Sequence, residues 1–386
     1  MNNMDLRVKD VLTEDFWIMP ATPKYTESGV PYITSKNIKN GIIDFTKINY
    51  ISKESYDSIS KNRPILVGDI LISMIGTLGE TAEVKESNGL FYGQNMFLVR
   101  IDEKKVDKRY FLNFFKSNYV KRMLEGKQNQ STQKYLKANH IEDLIIPVPS
   151  LDKQKLISSQ LDKLSNIISL RSKELEYLDE LVKARFIELF GDIKLNEKQF
   201  PIKKLNEISQ YWNGLTYKPE NVVKNEKDGT LVLRSSNIQN GSLCFDDNVY
   251  VNCMIKEKQY VKENDILMCS RNGSARLVGK TALIKGLNKP TSFGAFMMII
   301  RSDYYPYLKI FFEMDSFKKQ ISTGTSTINQ ITVKMLNQVE LPVPSMNFVY
   351  EFNQFCKQVD KSREIIQKKI DTYQELFDKL MQEYFG

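Results

Sequence analysis

Two stretches of the chain carry apolar residues at steps that alternate between three and four. They span residues 151–191 and 345–386, and both end in Phe-Gly. This spacing predicts a long helix with one narrow apolar seam, which is typical of a coiled coil. The first seam is Ile157, Leu161, Leu164, Ile168, Leu175, Leu178, Val182 and Leu189, with Arg171 and Arg185 at two expected places. The matching second seam is Cys356, Val359, Arg363, Ile366, Ile370, Tyr373, Phe377 and Tyr384.

A seam this narrow requires a partner helix to cover it. Because the chain supplies two such helices, we predict that they pack on each other in antiparallel orientation. At 1.5 Å per residue, each should be roughly 50 Å long. The two halves of the chain would then be related by a pseudo-two-fold axis.

The rest of the chain is one pattern written twice, and internal repeats of this kind determine architecture. Asn40-Gly41 and Asn240-Gly241 predict a hairpin turn in each copy. The other matched pairs are Gly68–Val84 with Asn264–Ile284, Gly93–Arg100 with Gly294–Arg301, Tyr110–Phe115 with Tyr307–Phe312, and Pro147–Ser150 with Pro342–Ser345. We read the first pair as strands around a glycine loop, the third as buried helices, and the last as the entry to each long helix.

The predicted fold class is therefore α+β, with two pseudo-symmetric globular domains joined by two long antiparallel coiled-coil helices. The predicted segments are a first domain at residues 1–150, a central helix at 151–191, a second domain at 192–344 and a distal helix at 345–386. Framework positions match between the copies, whereas loop contents differ. Such a pattern is expected if the fold is shared and the loops recognise different things.

Composition narrows the function classes only moderately. Lys and Arg total 55 against 47 Asp and Glu, a net charge of +8, which permits nucleic-acid binding without requiring it. The four cysteines lack CxxC spacing and the single histidine is His140, so we expect no zinc site, no disulfide framework and a reducing cytoplasm. The N-terminus lacks an apolar signal core and no apolar run of about 18 residues is present, so we expect neither secretion nor a membrane span.

The search for catalytic motifs favours binding over catalysis. The segment at residues 273–281 has five residues between its glycines, where a phosphate-binding P-loop has four. Asp69 and Asp265 recur in both copies, but capping of a turn explains them as well as catalysis does. His140 is read as a surface or capping residue. We therefore predict no catalytic residue, no metal ligand and no cofactor in this chain.

Polar loops recur in both copies and are the candidate binding surface. Arg, Asn and Gln pair with base edges, while Lys, Ser and Thr serve phosphates. Any one of these residues is more often an ordinary solvated side chain, but the set, repeated in register, favours nucleic acid. The candidates in the first copy are Ser35, Lys36, Asn37, Lys127, Gln128, Asn129, Gln130, Ser131, Thr132 and Gln133. In the second copy they are Arg234, Ser236, Asn237, Arg271, Asn272, Ser274, Arg276, Thr325, Ser326, Thr327, Asn329 and Gln330.

The order of these motifs resembles the specificity (S) subunit of Type I restriction–modification systems. The residues that carry the resemblance are Phe200–Leu205, Ser235–Gly241, Asp265–Leu267, Leu341–Pro344 and Phe190–Asp192. The first copy departs from the pattern, because it lacks an aromatic-Pro pair at its start. The resemblance covers essentially the whole chain.

The resemblance implies two target-recognition domains, each reading one half of a split sequence in double-stranded DNA. It implies that the long helices act as a spacer and as a docking surface for two methyltransferase subunits, with two restriction/motor subunits joining for cleavage. The chain itself would be non-catalytic and would direct N6-adenine methylation and restriction by its partners. S-adenosylmethionine, ATP and Mg²⁺ are accordingly expected on the partner subunits.

Three alternatives belong to other classes. A self-contained modification–restriction enzyme would need catalytic motifs in this chain. A duplicated adaptor that binds protein partners would bind independently of salt, whereas DNA binding weakens steeply as salt rises. The third alternative is the specificity module of another modification-dependent defence system.

Overall fold

The computed structural model describes residues 4–19, 23–128, 135–322 and 330–386, with the backbone alone at 127 and 128. The chain divides into two compact units. Unit 1 is Met1–Lys173 with Gln367–Gly386, and unit 2 is Glu174–Ile366. The unit boundaries fall inside the two long helices, and the division into four segments stays a prediction.

The two long helices are Leu151–Phe190, the central helix, and Met346–Phe385, the terminal helix. Each has 40 residues and starts directly after its Pro-Val-Pro-Ser segment. Each is therefore about 60 Å long, longer than the roughly 50 Å we predicted. The central helix ends at Gly191, which adopts a φ of 68° that favours glycine at this position.

In unit 1, the start of the central helix packs against the end of the terminal helix. Leu161 and Phe385 lie buried in the same hydrophobic core. The Phe385 ring centroid lies 5.0 Å from that of Tyr110, and the Tyr384 hydroxyl donates to Oε1 of Gln160 at 3.2 Å. The two helix ends are thus part of the core of unit 1.

In unit 2, the end of the central helix packs against the start of the terminal helix. Arg363 donates to Asp179 at 2.8 Å, and Arg185 pairs with Glu351. As the central helix advances from Asp179 to Arg185, its partner runs back from Arg363 to Glu351, so the two segments are antiparallel. Arg185 and Arg363, which interrupt the apolar seams, thus form ion pairs between the helices.

The predicted seam residues turn away from solvent, but to different degrees. The fully buried ones are Ile157, Leu161, Leu164, Leu189 and Val359. The half-buried ones are Ile168, Leu175, Leu178, Val182, Ile366, Ile370, Tyr373 and Phe377. The central helix is therefore most deeply buried towards its two ends, where it joins the cores.

The two units repeat one order of strands. The strands of unit 1 are Met4–Arg7, Trp17–Ile18, Tyr25–Thr26, Val30–Thr34, Ile38–Lys39, Ile42–Ile43, Asn49–Ile51, Ile70–Ser73, Thr81–Glu83, Tyr92–Gln94, Met96–Val99 and Ile145–Val148. Its shorter helices are Lys53–Ser60, Lys108–Phe115, Asn118–Gln128 and Ala138–Glu142. The strands of unit 2 are Ile202–Lys204, Gln210–Asn213, Val222–Val223, Thr230–Leu233, Ile238–Gln239, Ser242–Leu243, Tyr250–Val251, Ile266–Cys269, Thr281–Leu283, Thr291–Phe293, Met297–Arg301 and Glu340–Pro342. Its shorter helices are Leu205–Ile208, Tyr305–Phe311, Asp315–Ile321 and Val333–Leu336.

Each unit contains an antiparallel four-stranded sheet, which we call sheet A, and a mixed four-stranded sheet. In unit 1 the strand order of sheet A is Trp17–Ile18, Met96–Val99, Ile70–Ser73, Thr81–Glu83. In unit 2 it is Gln210–Asn213, Met297–Arg301, Ile266–Cys269, Thr281–Leu283. The equivalent strands pair in the same order, so the repeat seen in the sequence is a repeat of topology.

Sheet A separates two cores within each unit. Successive side chains of a strand point to opposite faces of its sheet. Accordingly, Ile70 and Ile72 pack with the long helices, whereas Leu71 packs on the other side against the mixed sheet. In unit 2, Ile266 and Leu267 divide in the same way. Burial on both faces explains why these strands are continuous apolar runs rather than alternating ones.

The predicted hairpins are confirmed. Asn40 and Gly41 have φ values of 51° and 80°, and Asn240 and Gly241 have values of 49° and 74°. Two consecutive positive φ angles are required by the type I′ turn that Asn-Gly favours. The buried helix predicted in each copy is also confirmed, and the α+β fold class with two similar units is correct.

Candidate nucleic-acid interface

A turn fixed by two backbone hydrogen bonds lies at one end of sheet A in unit 2. The backbone N–H groups of Ser270 and Arg271, which follow strand Ile266–Cys269, both donate to the carbonyl oxygen of Phe296, at 2.9 and 3.1 Å. Phe296 directly precedes strand Met297–Arg301, which pairs with strand Ile266–Cys269. The two hydrogen bonds therefore fix the turn to the neighbouring strand. This holds the start of the predicted glycine loop in a defined place.

A second segment returns to the same end of sheet A. The backbone N–H of Ile331 donates to the carbonyl oxygen of Ser270 at 2.7 Å, and Gln330 pairs with Arg271 as an isolated bridge. The C-terminal end of the polar candidate loop of the second copy, at Gln330, therefore lies beside the glycine loop. We call this place, formed by Ser270, Arg271, Phe296, Gln330 and Ile331, the loop edge of unit 2.

Unit 1 has a loop edge built in the same way. The backbone N–H of Met74 donates to the carbonyl oxygen of Asn95 at 3.1 Å, and the N–H of Leu136 donates to that of Met74 at 3.0 Å. Ile75 and Tyr135 form the isolated bridge. The framework of the loop edge is thus the same in both units, whereas its side chains differ.

The remaining candidates follow a strand in each unit, where the structure forms the 3₁₀ turns Ser35–Asn37 and Ser235–Asn237. In unit 1, the turn Ser35–Asn37 packs against strand Ile70–Ser73. In unit 2, Nδ2 of Asn272, on the glycine loop, donates to Oγ of Ser235 at 3.1 Å. Sequence-distant loops that we predicted to bind nucleic acid therefore converge.

Two of the predicted base-contacting residues, Asn37 and Asn237, belong to the framework instead. Oδ1 of Asn37 accepts from the backbone N–H of Thr34 at 2.9 Å, and its Nδ2 donates to the carbonyl oxygens of Asp44 and Lys47 at 2.8 and 3.0 Å. Asn237 is fully buried and holds its turn in the same way. Their amides are used inside the fold, which favours a structural role over base contact, and base contact by Asn37 and Asn237 stays an untested prediction.

The remaining predicted residues differ in how accessible they are. The side chains exposed to solvent are those of Lys36, Arg271, Arg276 and Gln330. The half-exposed side chains are those of Arg234, Ser236, Asn272 and Ser274. The side chain of Ser35 is buried. Arg234 is held by Asp247 at 2.8 Å. Within the described part of the chain, Lys36, Arg271 and Arg276 form no ion pair. Their charge is therefore available to an anionic partner such as DNA phosphate or to base acceptors.

The remaining predicted positions lie on the longer polar loops. Asn129, Gln130, Ser131, Thr132, Gln133, Thr325, Ser326, Thr327 and Asn329 lie outside the described residues. Lys127 and Gln128 end the helix Asn118–Gln128. Base contacts by these residues stay predictions. What the structure adds is that both loops lead into the loop edge at their C-terminal side.

A duplicated ion pair explains the recurring aspartates. Asp69 accepts from Nε and Nη2 of Arg100 at 2.7 and 3.0 Å, and Asp265 accepts from the same atoms of Arg301 at 2.7 and 2.6 Å. The hydrogen bond to Asp69 raises the pKa of Arg100. Each aspartate also caps a turn by accepting the backbone N–H three residues earlier. From the sequence, capping and catalysis explained the two aspartates equally well, and Arg100 and Arg301 were not singled out although both end matched segments.

No candidate metal centre is found in the described ranges, where no three His, Cys, Asp or Glu residues are grouped to hold an ion. His140 accepts the backbone N–H of Lys137 at 3.4 Å, as a capping residue of a short helix does. No helix among the described residues is long and apolar enough to cross a membrane.

Comparison with known proteins finds similarity to one family of proteins. Residues 6–180 match the family described as the Type I restriction modification DNA specificity domain. The chain is 25% identical over 403 residues to a protein of Methanocaldococcus jannaschii assigned as the MjaX specificity subunit of a type I restriction enzyme, covering 97% of this chain and 90% of that one. It is also 25% identical over 322 residues to the EcoKI specificity subunit of Escherichia coli K12, covering 77% of this chain and 68% of that one.

Solved structures share the fold over the full length. The S subunit of a Type I restriction–modification system from M. genitalium superposes with a TM-score of 0.59 at 16% identity, covering 100% of this chain and 96% of that one. A chain from a structure of the assembly and conformational transition of the type I system gives 0.61 at 15% identity, covering 99% and 97%. The sequence relatives thus make the chain similar over most of its length to specificity (S) subunits of Type I restriction–modification systems, and these structures show that it has the same fold.

Proposed function

We propose that this chain binds double-stranded DNA through the loop edges of its two units and directs partner subunits to a bipartite target. Each unit reads one short element. The unread gap between the elements has a fixed length, set by the long helices. The partners methylate adenine at N6 within the target or restrict DNA that lacks the methyl groups.

The observation that carries this proposal is the pair of loop edges. Two of their backbone hydrogen bonds and the isolated β-bridge are equivalent, yet the exposed side chains differ between the units. Ile75 in unit 1 corresponds to Arg271 in unit 2, and Tyr135 corresponds to Gln330. A shared framework with different side chains suits two readers of different sequences.

The exposed side chains have the chemistry that DNA recognition needs. Arg pairs with O6 and N7 of guanine, and Gln pairs with N6 and N7 of adenine, each with two hydrogen bonds. Arg271 and Gln330 are exposed side by side, so this site presents one side chain that pairs with guanine and one that pairs with adenine. Lys36 suits a phosphate contact, which positions the protein without specifying a base.

The chemistry of methylation and cleavage is assigned to the partners. We propose two methyltransferase subunits for each chain, with S-adenosylmethionine bound to them, and two restriction/motor subunits that use ATP and Mg²⁺. The family relationship and the lack of catalytic motifs in the sequence support this division. The isolated chain should accordingly transfer no methyl group.

The test is reconstitution with the cognate methyltransferase subunit. The complex should select two short elements with a constant gap from a library of random duplexes. Its affinity should fall steeply as salt rises from 50 to 200 mM, because released counterions drive the binding. Selection of no sequence, or binding that does not change with salt, would instead favour a protein-binding adaptor.

A further inference from the structure

Phe296 is an exposed aromatic residue at the loop edge of unit 2 that the predicted DNA-binding set does not include. Its side chain is 60% exposed. Single exposed apolar residues are common on protein surfaces and need no explanation. Phe296 differs from them because of what surrounds it.

The backbone at Phe296 is held in place. Its carbonyl oxygen accepts two hydrogen bonds, from the N–H groups of Ser270 and Arg271. The next residue, Met297, begins a strand of sheet A and is fully buried. Because the backbone at Phe296 is already constrained, binding through its ring costs little backbone conformational entropy.

The ring of Phe296 also positions Arg271. The guanidinium carbon Cζ of Arg271 lies 5.5 Å from the ring centroid, within the range of a cation–π interaction. Stacking of this kind orients the planar guanidinium while its N–H groups remain free to donate. The two side chains thus form one surface, in which the N–H donors of the Arg271 guanidinium lie beside the apolar ring of Phe296.

We propose that Phe296 is a specificity-determining residue, whose ring contacts the C5-methyl group of a thymine next to the guanine bound by Arg271. Of the four unmodified bases, only thymine presents a methyl group in the major groove, and apolar side chains recognise it. Guanine presents O6 and N7 to the guanidinium on the neighbouring base pair. This inference rests on the proposed function, because it names the bases that unit 2 reads.

The equivalent residue of unit 1 has a different chemistry. Asn95 is exposed at the same place and has a φ of 61°, a conformation that asparagine tolerates and phenylalanine does not. Asparagine has no apolar surface for a methyl group. The thymine preference created by Phe296 should therefore be confined to the half-site that unit 2 reads.

The experiment compares Phe296→Ala, Phe296→Leu, Arg271→Ala and the control Met254→Ala, each in complex with the methyltransferase subunit. Met254 is a second exposed apolar residue of unit 2, 93% exposed, outside the loop edge. Selection from random duplexes identifies the base pairs at which each variant loses preference. Phe296→Ala should lose it at a thymine adjacent to the guanine at which Arg271→Ala loses it, and Met254→Ala should select the wild-type target.

The methyl group is then tested alone, by replacing that thymine with deoxyuridine in the selected duplex. The wild-type complex should bind the deoxyuridine duplex about fourfold more weakly, as loss of one buried methyl group predicts. Phe296→Ala should bind both duplexes with equal affinity. Phe296→Leu should lose affinity on the deoxyuridine duplex, but by a smaller factor than the wild-type complex. Fluorescence of Trp212, recorded for each variant chain alone in a Trp17→Phe background, confirms that unit 2 is folded.

Three outcomes overturn the inference while leaving the proposed function standing. The wild-type complex selects two elements, but Phe296→Ala selects the same two. Alternatively, preference is lost at a base other than thymine, or deoxyuridine weakens wild type and Phe296→Ala equally. If the wild-type complex selects no sequence, the proposed function itself fails.

Discussion

Replacing Asn37 with alanine should destabilise unit 1 without changing what the chain reads on DNA. The Asn37 amide holds the backbone N–H of Thr34 and the carbonyl oxygens of Asp44 and Lys47. A hydrogen bond contributes about 1 kcal/mol net, and a buried group left without a partner costs about 1–3 kcal/mol. With three backbone groups affected, Asn37→Ala should lower the free energy of unfolding by about 3 kcal/mol.

The assay is urea unfolding followed by tryptophan fluorescence, because each unit contains one of the two tryptophans, Trp17 in unit 1 and Trp212 in unit 2. In a Trp212→Phe background, Trp17 reports unit 1 alone. The matched control is Asn49→Ala, an exposed asparagine of the same unit, which should change stability by less than about 0.5 kcal/mol.

The same variant separates a framework role from base contact. At a temperature where the complex with the methyltransferase subunit is folded, Asn37→Ala should select the wild-type target. Our reasoning would be refuted if Asn37→Ala were as stable as Asn49→Ala and yet relaxed the half-site of unit 1. That result would mean that the amide is turned outward in the complex.

Further predictions concern the core, an ion pair and a thiol. Leu161→Ala should cost about 2–5 kcal/mol because the side chain is fully buried, whereas Leu170→Ala, 61% exposed, should be neutral in urea unfolding. Asp265→Asn should lower the free energy of unfolding by about 2–3 kcal/mol, because it breaks the ion pair with Arg301. This is less than the cost of breaking a fully buried pair, since Arg301 is partly exposed. The control Glu220→Gln, in an exposed ion pair, should leave the free energy of unfolding unchanged. Burial, with a contribution from Asp360, raises the pKa of Cys356 to about 12, so at pH 8 it is a neutral thiol. Iodoacetamide should therefore modify Cys356 more slowly in the folded protein than in urea, as mass spectrometry would show; equal rates would contradict this.

The parts of the fold that the sequence predicted are those set by local patterns and by the repeat. The seam spacing predicted both long helices, and Asn-Gly predicted both hairpins, because each depends on a few neighbouring residues. The helix length was underestimated, although the boundaries of 151–191 were close to Leu151–Phe190. The strand order of sheet A is formed by distant segments, and nothing in the local pattern states it.

The candidate site was predicted as a set of loops but not residue by residue. Asn37 and Asn237 are polar residues after a strand, and from sequence a base-contacting amide and a turn-bridging amide look the same. What distinguishes them is the position of carbonyl oxygens seven and ten residues later, which only the fold supplies. Phe296 was not among the predicted residues, and the sequence does not mark it, because an aromatic residue directly before a buried strand is usually part of the core.

The central claim is that two units read two half-sites independently, and a methylome tests it most directly. Cells that carry Arg271→Ala with the methyltransferase subunit, and without the restriction subunit, are sequenced for N6-methyladenine. We predict that the half-site read by unit 2 becomes relaxed at one base pair, while the other half-site and the gap length stay those of wild type. Equal changes in both half-sites, or a changed gap, would contradict independent reading by the two units.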